Sequence, residues 1–235
     1  MEQREGIVLA GGLGTRLRSA AICMAMIAAF VPLSGCDTRV PDRRDDINQL
    51  SAQLGSMPGV QAAHADYANH WAEGAVMFAI HLDATESLTA DELASVVDTY
   101  LQNLASGRYR DYHTELEIRR GWNVFAVDSS DRPIANTTQI LDQARNWIAL
   151  RTTLPGATVA LRSTISHPLA HLSPREIGSS NRADIELPEG TQSMDIAGAV
   201  STIAARFPYL AVLNWTVSAA RAQDQIAYTG RFPTA

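Results

Sequence analysis

The stretch Ala75-Val-Met-Phe-Ala-Ile-His-Leu-Asp83, followed after a polar break by Thr89-Ala-Asp-Glu-Leu-Ala-Ser-Val-Val-Asp-Thr-Tyr-Leu-Gln-Asn-Leu104, decides how this chain folds. Its first half alternates. Val76, Phe78, Ile80 and Leu82 point one way and Met77, Ala79 and His81 the other, the period-2 pattern of a half-buried strand. Its second half changes period: Leu93, Val96, Val97, Tyr100, Leu101 and Leu104 fall on one helical stripe. Thr89-Ala-Asp-Glu92 has the form of a capping box at the helix start, and Gly107 closes the helix. A strand and a helix that each carry one apolar face bury both by packing the helix on the sheet.

Working outward, the same grammar recurs. Ile47, Leu50 and Leu54 give a short helix over about 46–54, which Pro58-Gly59 ends before a strand near 60–69. Strands are expected near 113–119 and 122–128, around Arg120-Gly121. A helix over about 138–152 follows, with Ile140, Leu141, Ala144, Trp147 and Ile148 on one face. Leu154-Pro155-Gly156-Ala157 then echoes Met57-Pro58-Gly59-Val60 at an offset of 97 residues. Strands near 158–167 and 182–188 flank a loop from Pro168 to Asn181. Ser193 is expected to cap a helix with Ile196, Ala199, Val200, Ile203 and Phe207 inward, stopped by Pro208. Strands near 212–219 and 225–232 end the pattern, with Leu213, Trp215, Val217, Ile226, Tyr228 and Phe232 inward.

The expected order is therefore α-β-β-α-β-β written twice, over residues 46–133 and 134–235. That makes an α+β fold of mostly antiparallel sheet with helices packed on one face. One sheet or two is not decided by these patterns. The order resembles that of small bacterial envelope modules such as the BON domain, a likeness of architecture that carries no individual residues across.

The N-terminus carries a different signal. Arg16 and Arg18 precede an uncharged apolar run from Ala20 to Leu33, which ends in Leu33-Ser34-Gly35-Cys36. This is the layout of an export signal with a cysteine at its end. It resembles the lipobox of bacterial lipoproteins. The resemblance implies a signal peptide over residues 1–35, recognition of Leu33, Ser34 and Gly35 by the signal peptidase, and a diacylglyceryl group on the Cys36 thiol. It further implies attachment to the extracytoplasmic face of the cell membrane, which two or three acyl chains make stable where one is marginal. Residues 37–45 are polar and charged and are expected to be a tether, so that 36–45 forms the lipidated N-terminus.

Residues 6–17, Gly-Ile-Val-Leu-Ala-Gly-Gly-Leu-Gly-Thr-Arg-Leu, resemble the nucleotide-binding opening of the sugar-phosphate nucleotidyltransferases. That resemblance implies a phosphate cradle made by Gly11, Gly12, Gly14, Thr15 and Arg16. The lipoprotein reading is carried forward because Arg18-Ser19 runs straight into the apolar stretch and the chain contains no lysine.

Composition narrows the chemistry. All 19 basic residues are arginine, which excludes a P-loop lysine, a Schiff-base lysine and a lysine general base. Net charge is −6, and removal of residues 1–35 takes away three arginines and two glutamates, leaving −7. Clustered positive charge is what a phosphate backbone demands, so no nucleic-acid partner is expected. The cysteines are Cys23 and Cys36, and cleavage before Cys36 would leave neither a disulfide nor a free thiol.

No residue is assigned a catalytic role, no cofactor is expected and no metal ligand is assigned. His167 and His171 have helical ligand spacing, but Pro168 lies between them. His64 and His81 are placed to meet across paired strands on the polar face, where an exposed surface is the expected setting. Glu115 and Glu117 read as the outward side of a strand, and Asp91 and Glu92 as a helix first turn. Arg119, Arg120 and Trp122 sit together on a hairpin tip and are the candidate contact for an anionic headgroup or a partner's carboxylates. Tyr109, Tyr112 and Trp71 read as amphipathic edge residues. The expected function is a membrane-anchored binding module whose partner is an envelope protein, a lipid or a glycan. The alternatives are the nucleotidyltransferase and a lipid carrier with a cavity between sheet and helices.

Overall fold

The computed structural model describes residues 40–70, 75–130, 137–166, 182–219 and 225–229. Within them the chain runs α1 (Arg44–Gly55), β1 (Val60–His70), β2 (Ala75–Ala84), α2 (Ala90–Ala105), β3 (His113–Arg120) and β4 (Asn123–Ser130). It continues through α3 (Thr137–Thr153), β5 (Thr158–Ser166), β6 (Arg182–Leu187), α4 (Ser193–Arg206), β7 (Asn214–Ala219) and β8 (Gln225–Thr229). A 3-10 turn over Pro208–Val212 joins α4 to β7. The fold class is α+β, with helix-strand-strand as its unit of order.

All eight strands form one sheet in chain order. Each pair joined by a short link is antiparallel, as in β1–β2 and β3–β4. Each pair joined through a helix is parallel: β2–β3, β4–β5 and β6–β7. A helix carries the chain back to the end from which the previous strand started, which makes the next strand parallel. The sheet is mostly antiparallel, as expected, with parallel pairs mixed in: four pairs are antiparallel and three parallel.

The period-2 pattern holds through the register. Phe78, Ile80 and Leu82 lie beside Thr114, Leu116 and Ile118, and the latter two beside Val127 and Phe125. Phe125 in turn neighbours Leu161, and Leu161 neighbours Ala183. This row is the sheet side of the core, and α1, α2 and α3 lie next to one another across it. Leu93, Val97, Tyr100 and Leu104 of α2 are buried against it, with the capping box of Thr89 and Glu92 at the helix start. Trp147 of α3 is fully buried and donates its indole N–H to the Val159 carbonyl at 3.1 Å. A buried indole without an acceptor is costly, and the strand edge supplies one.

Three local expectations differ. The body begins before the expected tether ends: α1 starts at Arg44, Val40 is buried, and the Tyr112 hydroxyl donates to the Pro41 carbonyl. Tyr109 and Tyr112 are core residues, each about 1 % exposed, packed with Phe78. Their rings fill the space where the chain enters α1, and so are covered on both sides. At α4 the carboxylate of Asp195 accepts from the Gln192 backbone N–H at 3.2 Å, so the cap lies one residue before Ser193.

Gly59 and Gly156 occupy the same joint, between a helix and the first strand of its pair, with φ of +82° and +81°. The echo between their Pro-Gly turns is therefore an echo of backbone shape. Strand direction reverses from one helix-strand-strand block to the next, since β3 runs with β2 and β5 with β4. With the helices on one face, consecutive blocks cannot be superposed by rotation. Blocks two apart run the same way, the relation set by the 97-residue offset.

Candidate functional site

The face of the sheet opposite the helices carries the polar side chains. Strand alternation places His64 and Asp66 of β1, His81 of β2, Glu115, Glu117 and Arg119 of β3, Asp128 of β4, Arg162 of β5 and Arg182 of β6 on that side. The register lines several up in one cross-strand row: His64 beside His81, His81 beside Glu117, Glu117 beside Ala126, Ala126 beside Arg162, Arg162 beside Arg182.

At the β1 end the two imidazoles stack, with centroids 4.8 Å apart and planes 19° from parallel. His81 Nε2 lies 3.3 Å from Asp66 Oδ2, and His81 Nδ1 lies 3.3 Å from Glu117 Oε1. Glu117 is 8 % exposed and accepts from Arg119 Nε at 2.5 Å. Burial pushes the Glu117 carboxyl up, but the hydrogen bonds and charge of Arg119 and His81 outweigh it and hold the group below its ordinary range.

Toward the middle of the sheet, one guanidinium nitrogen of Arg162 reaches both Asp128 oxygens, at 2.8 and 2.9 Å, and Glu115 Oε1 at 3.0 Å. Asp128 is 3 % exposed. Its burial pushes the carboxyl up more strongly than Arg162 pulls it down. Arg162 itself loses charge stability to burial but regains more from the two carboxylates, so it stays protonated. Beside it lies a shallow depression of about 210 Å³ over Ala126 and Ala160, rimmed by Arg162, Arg182 and Asp184. Arg182 is bonded to Asp184 at 2.6 Å. This network fixes charge in place on the open face of the sheet.

The hairpin residues Arg119, Arg120 and Trp122 do not form one group. Arg119 and Arg120 are adjacent in β3 and therefore point to opposite faces. Arg119 is held by Glu117 on the open face, and Arg120 by Glu86 at 2.9 Å. Gly121 takes φ +59° in the tight turn, and Trp122 stands 87 % exposed at its tip. The two guanidiniums and the indole form no shared pocket. The expected alternative, Trp122 tucked against the sheet, is not what the chain adopts either.

His64 and His81 meet as the strand pairing implies. Asp66, Asp128 and Arg162 were not singled out by pattern; their signal was polar character at the open-face parity of a strand. Cys36, Leu33, Ser34 and Gly35 lie outside the described residues, as do Gly11, Gly12, Gly14, Thr15, Arg16, Trp71, His167 and His171. Among the described residues no helix is long and apolar enough to cross a membrane. No family model, curated protein or solved structure matches the chain.

Proposed function

We propose that this chain is a lipid-anchored extracytoplasmic module that works by binding through the surfaces of its sheet body. The supporting observation is that the compact unit runs from Arg39 onward and builds its helices and eight strands from residues after the lipobox-like segment. On this reading the first three dozen residues serve as address and anchor.

Seating of Val40 and Pro41 in the body shortens the leash. Three residues separate Cys36 from Val40, and the four steps between them reach roughly 14 Å at full extension. Acylated at Cys36, the body would sit close to the bilayer with the α1 start nearest the anchor. The start of β3 lies at that end, through the Tyr112–Pro41 contact, and the Trp122 turn lies at the other. An eight-residue strand is about 26 Å long, so Trp122 would be carried away from the anchored end. Met194, 82 % exposed at the start of α4, follows β6 at the same end as that turn. The binding partner is an envelope protein, a lipid or a glycan.

Mass analysis of the native protein tests the address: loss of residues 1–35 and an acylated N-terminal Cys36 are expected. A full-length cytosolic species that releases pyrophosphate from a nucleoside triphosphate would overturn the reading in favour of the glycine loop. Crosslinking in intact cells from a photoreactive residue at position 122 then identifies the partner.

A further inference from the structure

We infer that His64, Asp66 and His81 form a surface site for a borderline divalent transition ion, with Zn2+ as the leading candidate, and that Glu117 orients His81 within it. The inference does not depend on the lipid anchor. One ligand atom from each of the three residues lies within 4.8 Å of the others. Tetrahedral Zn2+ with bonds of about 2.0–2.1 Å needs its donors roughly 3.4 Å apart. Rotation of His64 and Asp66 closes that gap, and both side chains are exposed. His81 is the fixed member, since it stands over β2 between its two neighbouring strands.

Donor chemistry points the same way. Two imidazoles and one carboxylate are the protein ligands of many zinc sites that keep a fourth position for water. Calcium and magnesium prefer all-oxygen sets, so the histidine pair selects against them. Behind His81, Glu117 faces Nδ1 at 3.3 Å and is itself clamped by Arg119. When His81 donates its Nδ1–H to Glu117, its Nε2 lone pair faces Asp66. A carboxylate behind a ligating histidine fixes its tautomer and raises its basicity. Local charge also suits a cation: Asp66 and Glu117 flank the pair, and Arg119 is spent on Glu117.

The test is Zn2+ titration of the metal-stripped full-length protein in detergent, followed by calorimetry at neutral pH and by the histidine ring signals in NMR. One saturable Zn2+ per chain is expected, with the His64 and His81 resonances shifting together. His64→Ala, His81→Ala and Asp66→Asn should each weaken this site, and the double histidine variant should remove it. Glu117→Gln should keep the stoichiometry and lower affinity about 10–100-fold. His64 and Asp66 are exposed, so their variants keep the fold, which a matching thermal melt without metal verifies. Absence of saturable binding, or an unchanged titration in the double histidine variant, would overturn the site. Wild-type affinity in Glu117→Gln would overturn the role given to that residue.

Discussion

Arg162 is a single side chain on which two carboxylates depend, and Asp128 is buried enough that water cannot replace it. Removing one partner of such a group leaves an uncompensated charge, which costs about 3–5 kcal/mol when the pair is fully buried. Arg162 is a third exposed, so Arg162→Met is expected to cost about 2 kcal/mol in urea unfolding. Asp128→Asn should cost less, because Glu115 still occupies the guanidinium. Glu117 makes a pH prediction. Its carboxyl is held below the ordinary glutamate value of 4.5, so its contribution is complete above that pH and is lost as pH falls through the lowered folded value. Asp128 is shifted the opposite way, so the Glu117 share has to be isolated by difference. Wild type should be more stable than Glu117→Gln above about pH 4.5, with the two converging on acidification. Gly59 is a backbone case. A Cβ there would lie 2.4 Å from Leu88 Cδ1 at φ +82°, whereas at Gly107, φ +76°, nothing lies within 4 Å. Gly107→Ala should cost about 1–2 kcal/mol of backbone strain, and Gly59→Ala distinctly more.

At the scale of elements, α2 has the most legible sequence and a testable start. Glu92 N–H donates to the Thr89 hydroxyl at 3.2 Å, and Thr89 N–H donates to the Glu92 carboxylate at 2.8 Å. Thr89→Ala is expected to cost about 1 kcal/mol, read as a lower urea midpoint at unchanged slope. Local pattern located the strands well because side-chain parity is a property of consecutive residues. It failed where a partner from elsewhere supplied the environment. Tyr109 and Tyr112 look amphipathic in sequence, but Asp46 and Pro41 offer their hydroxyls acceptors and Phe78 covers the rings. Arg119 and Arg120 look like one basic tip, yet strand parity sends them to different carboxylates on different faces.

For the whole molecule, the anchor reading gives the prediction with the largest readout. Cys36→Ala should release an otherwise normally folded chain from membranes in detergent-free extracts, or leave it uncleaved, and thermal unfolding should be unaltered. Fractionation identical to wild type would mean that acylation of Cys36 is not what holds the protein. Arg39 onward forms one compact unit, so the folded body is not expected to respond to that substitution.

The amino-acid order by itself fixed the elements, their apolar faces and their caps, because periods of 2 and 3.6 residues and a Thr-to-Glu reciprocity are local facts. It also fixed the absence of lysine and the acidic balance. Tertiary structure alone decided that eight strands close into one mixed sheet, that His64, Asp66, His81 and Glu117 converge, and that Arg162 joins two carboxylates from two other strands. Parity tells which face a side chain takes but not which strand lies beside it. That choice is made when distant segments satisfy their backbone hydrogen bonds and bury their apolar faces together.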